Sequence, residues 1–90
     1  MTEQTWFLYL VRCRDNTLYT GISTDVERRF AEHKAGKGAK YLRGKGSLEL
    51  VYQQEIGRHS DALKAELHIK KLSKTAKERM ILTGESAAVG

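Results

Sequence analysis

The segment Trp6–Cys13 constrains the fold more than any other, because seven of its eight residues are apolar and only Arg12 is charged. Strand alternation puts Phe7, Tyr9, Val11 and Cys13 on one face and Trp6, Leu8 and Leu10 on the other. Apolarity on both faces predicts a central strand that is covered on both sides. Arg14-Asp15-Asn16 has turn chemistry, and residues 17–22 return as a second, antiparallel strand. Thr24-Asp25-Val26-Glu27 has a capping-box pattern, which predicts a helix over 25–35 that stops at Gly36. Residues 48–54 read as a third strand. Ser60-Asp61 opens a second helix that runs through Leu72. Thr75-Ala76-Lys77-Glu78 repeats the capping-box pattern for a short third helix closed by Gly84. The expectation is an α/β (α+β) fold of order β-β-α-β-α-α: a three-stranded, largely antiparallel sheet flanked by helices. Residues 1–84 read as one domain, with 85–90 as a flexible tail.

Composition excludes several classes. Ninety residues suit one domain, and a 40 % hydrophobic, 30 % charged chain is not disordered by composition. No run approaches the ~20 apolar residues of a membrane helix. Met1-Thr2-Glu3-Gln4 does not read as a signal peptide. The lone cysteine, Cys13, excludes an internal disulfide and a Cys-based zinc cluster. It suits a reducing, cytoplasmic setting, packed as a small hydrophobe.

The net charge of +5 is unevenly spread. Residues 31–50 carry Lys34, Lys37, Lys40, Arg43 and Lys45 against Glu32 and Glu49, and hold four of the eight glycines. Cations, flexible backbone and Tyr41 together suit a loop that contacts phosphates through Lys37, Lys40, Arg43 and Lys45. A solvated loop kept soluble by lysines fits the same residues equally well.

Polar residues at apolar positions are the next signal. At about 100° per residue, the apolar arc of the second helix runs from Leu72 at about −80° to Leu67 at about +140°. Glu66 falls at about +40°, near the middle. An inward carboxylate needs a cation, a donor or a metal. A salt bridge to Lys70, four residues on, is the bland solution. On the first helix, His33 lies within about 20° of Val26, and Arg29 and His33 are spaced to converge on one point. Such a histidine is more often packed and hydrogen-bonded than catalytic, but an adjacent arginine favours an anion site. Tyr9 and Tyr19 lie on strands that pair through the turn at 14–16. Each alone is an ordinary strand residue. His59 and His68 read as a loop and a helix-surface residue, without the neighbours of a multi-ligand metal cage.

Together these residues resemble a known family. Phe7-Leu8-Tyr9, followed ten residues on by Tyr19-Thr20-Gly21 and then Ile22-Ser23-Thr24-Asp25-Val26-Glu27-Arg28-Arg29-Phe30, is similar to the GIY-YIG nuclease domain. Glu66, on a helix beyond the third strand, completes the pattern. The resemblance spans about residues 6–81 and is strongest to the small stand-alone bacterial YhbQ-like group. The stretch 38–46 also resembles Slx-type structure-specific nucleases. Two departures stand out. The first motif reads Phe-Leu-Tyr rather than Gly-Ile-Tyr. Many members also carry an Asn after the metal-binding helix, whereas the one Asn here is Asn16. Its role is filled by another group, near Glu78, or is absent.

The resemblance implies a metal-dependent endonuclease that hydrolyses DNA phosphodiester bonds in repair or processing. It assigns Tyr9, Tyr19, Arg29, His33 and Glu66 to catalysis and Glu66 to one divalent ion. A single carboxylate suits Mg²⁺, or Mn²⁺, with water and substrate phosphate completing the shell. Tyr19 is the implied general base. Base work by a tyrosine at pH 7 requires about 4 kcal/mol of phenolate stabilisation, from Arg29 and the metal, unless proton transfer is concerted. Arg29 also clamps a phosphate oxygen, while Tyr9 and His33 position water or phosphate. So short a chain implies weak, salt-sensitive binding through the basic loop and Lys70, with a preference for branched, single-stranded or distorted DNA. A protein partner would supply targeting, and no membrane is involved. Two other readings compete: a non-catalytic nucleic-acid-binding module with the same fold, and a structural or protein-interaction domain in which Arg29 and Glu66 form only an internal ion pair.

Overall fold

Strand β1 (Trp6–Cys13) runs between the other two strands, in the sheet order β2-β1-β3. The computed structural model describes residues 4–37, 40–42, 44 and 46–85. Its remaining elements are β2 (Leu18–Ser23), α1 (Val26–Lys34), a 3-10 turn at Lys40–Leu42, β3 (Leu48–Gly57), α2 (His59–Lys70) and α3 (Lys74–Thr83). Both pairings of β1 are antiparallel. The α+β architecture and the order β-β-α-β-α-α are therefore those read from the sequence.

The two-sided apolarity of β1 is used in full. Leu8 and Leu10 pack with Ala65 and Ile69 of α2 and Met80 of α3. On the opposite face Tyr9 and Val11 pack with Val26 of α1. Each face of the sheet thus has its own small core, and β1 contributes to both. Cys13 is buried as a free thiol.

Several boundaries differ from the sequence reading, each for a local reason. Strand β3 continues three residues past Gln54, because irregularities in its pairing with β1 break the simple alternation. Leu10 faces Tyr52 but Val11 faces Leu50, so Val51 is an extra residue. The bulge switches which parity points to which face, and Leu48 and Leu50 join Val11 while Tyr52 joins Leu10. Helix α1 is capped by Asp25, whose carboxylate accepts from the Arg28 N–H at 3.2 Å, rather than by Thr24. Helix α2 starts at His59, one residue before the expected Ser60. Helix α3 is capped by Ser73, whose hydroxyl accepts from the Ala76 N–H at 3.1 Å, and Thr75 lies inside its first turn. Gly84 closes α3 at φ 71°, the left-handed conformation that the lack of a Cβ makes accessible.

One ion pair fastens α3 to the sheet. The Arg12 guanidinium donates through Nη1 and Nη2 to the two carboxylate oxygens of Glu78, each at 2.7 Å, and Lys74 adds a contact at 3.2 Å. Arg12 also donates to Asn16 Oδ1 at 2.8 Å. The side chains of Arg12 and Glu78 are 25 % and 33 % exposed, so water screens the pair only in part. Hydrogen bonding from Arg12 depresses the Glu78 carboxyl from 4.5 to about 2. A depressed carboxyl stabilises the fold above its unfolded value and stops doing so as pH falls through the folded one. We expect Glu78→Gln to lower stability by about 1 kcal/mol at pH 7. Urea titrations at pH 7 and near pH 2 should show the difference between wild type and variant shrinking at the lower pH.

Candidate active site

Alternation along β1 aims Tyr9 at the face that α1 covers, and the antiparallel register places Gly21 directly opposite it. Tyr19 stands across from Val11, one diagonal step from Tyr9, with the two rings 6.4 Å apart between centroids. A glycine opposite Tyr9 is required by space. A Cβ on Gly21 would lie 2.6 Å from the Tyr9 hydroxyl oxygen, 2.7 Å from its ring carbon Cζ and 3.1 Å from Cε1 of Tyr19. The Tyr9 ring therefore crosses over the bare backbone of β2.

Helix α1 supplies the other partners. Its buried residues are Val26 and His33, two turns apart, so the histidine points at the sheet. His33 Nε2 lies 2.8 Å from the Tyr9 hydroxyl in a buried contact, and its ring is 5.4 Å from that of Tyr19. Burial, with the charge of Arg29 beside it, lowers the pKa of His33 and favours the neutral ring. With the ring neutral, one imidazole nitrogen carries the proton and the other accepts, and the tautomer sets which of Tyr9 and His33 donates in this contact. Arg29, one turn before His33, donates to Glu32 at 3.1 Å, and its guanidinium is near enough to Tyr9 to favour the ionised form of that hydroxyl. Burial is the main reason that the Tyr9 hydroxyl is pushed up to about 12, and the nearby Tyr19 and Glu66 act in the same direction. Tyr9 is accordingly a neutral hydrogen-bonding group at physiological pH.

Glu66 occupies a flank of α2 rather than the middle of its buried stripe. Ala62, Ala65 and Ile69 are buried, whereas Leu63 and Leu67 are 45 % and 57 % exposed. The apolar arc read from the sequence is therefore too wide, and its true centre lies between Ala65 and Ala62. The Glu66 side chain is 21 % exposed and sits 3.5 Å from the Lys70 ammonium, the ion pair foreseen as the bland solution. Its charge is also felt at Tyr9, so the carboxylate and the tyrosine cluster are electrostatic neighbours although α1 and α2 cover opposite faces.

The structure thus brings Tyr9, Tyr19, Arg29 and His33 together, with Glu66 and Lys70 at the rim. The basic loop is less defined. Lys37 and Lys40 are exposed, whereas Arg43, Lys45 and the Tyr41 side chain lie outside the described residues, as do residues 86–90 of the expected tail. Among the described residues no cluster of three or more His, Cys, Asp or Glu has metal-binding geometry. Likewise, no described helix is long and apolar enough to cross a membrane. His59, read as a loop residue, is the first residue of α2 and stacks on Trp6 with centroids 4.3 Å apart. Sequence reasoning also missed why position 21 is glycine. The pairing register across the turn at 14–16 holds that information, because it sets Gly21 against Tyr9.

The family model of the GIY-YIG catalytic domain matches residues 5–79, which include every member of this cluster. The chain belongs to the GIY-YIG family. It is 60 % identical over 82 residues to a UPF0213 protein of Klebsiella pneumoniae, covering 91 % of this chain and 76 % of that one. It is 57 % identical over 83 residues to the UPF0213 protein YhbQ of Escherichia coli K12, covering 92 % and 83 %. The solution structure of a UPF0213 protein from Bacillus halodurans is similar at a TM-score of 0.57 and 38 % identity, over 88 % of this chain and 84 % of that one. A second solution structure, of a protein from E. faecalis, has a TM-score of 0.62 at 33 % identity, over 91 % and 88 %. The GIY-YIG domain is a nuclease domain, which implies a nucleic-acid substrate for this chain in general terms.

Two outcomes test this geometry. Gly21→Ala should destabilise the protein by about 1–3 kcal/mol, because the buried Tyr9 ring must leave its hydrogen-bonded position; chemical denaturation measures it. The raised pKa of Tyr9 means that folding favours its protonated form, fully so below about 10 and no longer once pH passes about 12. Wild-type stability should therefore fall between those values. Tyr9→Phe, about 1–2 kcal/mol less stable at neutral pH, should lack that part of the decline.

Proposed function

We propose that the chain is a metal-dependent endonuclease that hydrolyses DNA phosphodiester bonds. The observation that carries this reading is the convergence of Tyr9, Tyr19, Arg29 and His33 on one patch, with a partly exposed carboxylate, Glu66, at its rim.

The cluster divides into fixed and adaptable groups. Tyr9 and His33 are buried and bonded to each other, which suits holding a water or a phosphate oxygen in place. The Arg29 side chain is 39 % exposed, so its guanidinium can turn from Glu32 to a phosphate oxygen. Tyr19 stands nearer the edge of the sheet and is the proposed general base. In the reaction, a water oxygen bonds to phosphorus and one P–O ester bond breaks, while Tyr19 gives up its own phenolic proton to solvent as it takes one from the attacking water. The departing oxygen leaves with a proton from solvent.

Glu66 fits a hard divalent cation, Mg²⁺ or Mn²⁺. It is one carboxylate, open on one side to solvent, beside a lysine that could release it. An ion held there by one protein ligand would take water and substrate phosphate as its other ligands. When bound it would neutralise phosphate charge and make the attacking water more acidic. Lys37, Lys40, Arg43, Lys45 and Lys70 are proposed to hold the backbone. We place the activity in the cytoplasm, in DNA repair or processing, on branched, single-stranded or distorted DNA, with targeting supplied by a protein partner.

A second reading, a nucleic-acid-binding module without turnover, is favoured by one observation: the Glu66 carboxylate already has a partner in Lys70. Nicking of supercoiled, single-stranded and branched DNA with Mg²⁺, Mn²⁺ or EDTA separates the two. Cleavage should require metal, fall by roughly 10²–10⁴-fold in Tyr19→Phe, and be abolished in Glu66→Gln. Binding in EDTA with no cleavage by the wild type under any condition would leave the binding module.

A further inference from the structure

Strand β2 is an edge strand, and beyond its outer edge lies a groove of about 330 Å³ lined by Leu18, Tyr19, Thr20, Lys70 and Lys77. Lysines from two different helices, α2 and α3, therefore line one opening. Lys70 is partly neutralised by Glu66 at 3.5 Å. No ion pair holds Lys77 among the described residues, so the groove has an uncompensated positive charge. Thr20 adds an independent sign: it is 3 % exposed, and its hydroxyl has no hydrogen-bond partner among the described residues. A buried hydroxyl without a partner costs about 1–3 kcal/mol, which a ligand or a bound water beside it would recover. Tyr19 forms part of the same wall, so the groove adjoins the tyrosine cluster.

We propose that this groove seats a backbone phosphate of the nucleic-acid strand, next to the one being cut, with Lys70 and Lys77 as its cationic contacts. This rests on the nuclease reading and adds the path of the substrate to it: the strand passes along the outer edge of β2 and between the ends of α2 and α3. Lys77 is then a positioning residue for substrate and does not take part in bond breaking. Seating of a diester phosphate by two lysines is independent of base sequence.

The test measures binding of a labelled single strand and a labelled branched junction in EDTA, from about 50 to 200 mM KCl. Lys77→Gln should bind roughly three- to tenfold more weakly, and the slope of log affinity against log salt should shrink by about 0.7 for the single strand and about 0.9 for the junction. Lys77→Arg should restore both, which excludes a folding defect. Lys64→Gln, exposed on α2 but outside the groove, should behave as wild type. Amide resonances of Leu18 to Thr20 should shift on adding the oligonucleotide. Wild-type affinity and salt slope in Lys77→Gln, in a protein that still cuts DNA, would overturn this proposal and leave the nuclease reading standing. Shifts caused by inorganic phosphate but not by oligonucleotide would overturn it in favour of a free-anion site. A wild type that neither binds nor cuts nucleic acid would remove both.

Discussion

The close passage of Tyr9 over Gly21 is the constraint on which the rest of the site depends. A side chain of any kind at position 21 would occupy the space that the Tyr9 hydroxyl fills. The bare backbone gives the ring room for its hydroxyl to meet His33 from α1. That contact fixes the rotation of α1 about its axis, because Val26 and His33 are the residues the helix buries. The Asp25 cap and the Ser23 hydroxyl, which accepts from the Asp25 N–H at 3.0 Å, fix where that helix begins. Strand register, helix phase and helix start thus all serve one hydrogen-bonded cluster.

Much of the architecture was legible because β1 is apolar on both faces. A central strand, antiparallel neighbours and helices on either side all follow from that run of residues. The tyrosines, Arg29, His33 and Glu66 were legible mainly through their resemblance to a family, since each has an ordinary structural explanation when read alone. What the sequence could not specify was which apolar residues find cover. Leu63 and Leu67 look like core residues by spacing, yet no described element covers them as fully as it covers Ala62 and Ile69. The bulge at Val51 hides for a related reason, because a parity switch is visible only against the partner strand. The Arg12–Glu78 pair joins residues 66 positions apart and leaves no local trace.

Electrostatics are distributed in two regimes. On the α1 side, burial keeps Tyr9 protonated and His33 neutral, so the interior of the cluster is uncharged and held by hydrogen bonds. The charges stand around it: Arg29 on one side, Glu66 and Lys70 on another. A neutral centre within a charged rim suits an anionic visitor, since the rim groups can exchange their present partners without an ion being left stranded in the core.

The position of β1 in the sheet has a further consequence. Leu8, Leu10 and Val11 are completely buried on a strand hydrogen-bonded along both edges. Local openings that fray a fold start at edges and termini, and such a strand opens only with the whole molecule. Tyr9 is therefore tied to global stability, whereas Tyr19 rides on the edge strand, where a change costs less. A descendant of this chain can discard the Tyr19 hydroxyl and remain folded, but it cannot readily discard Tyr9. On the proposed assignment of Tyr19 as general base, loss of catalysis and loss of fold are separated within one pair of neighbouring tyrosines. Under that proposal, inactive but still-folded members can arise by a single substitution on β2.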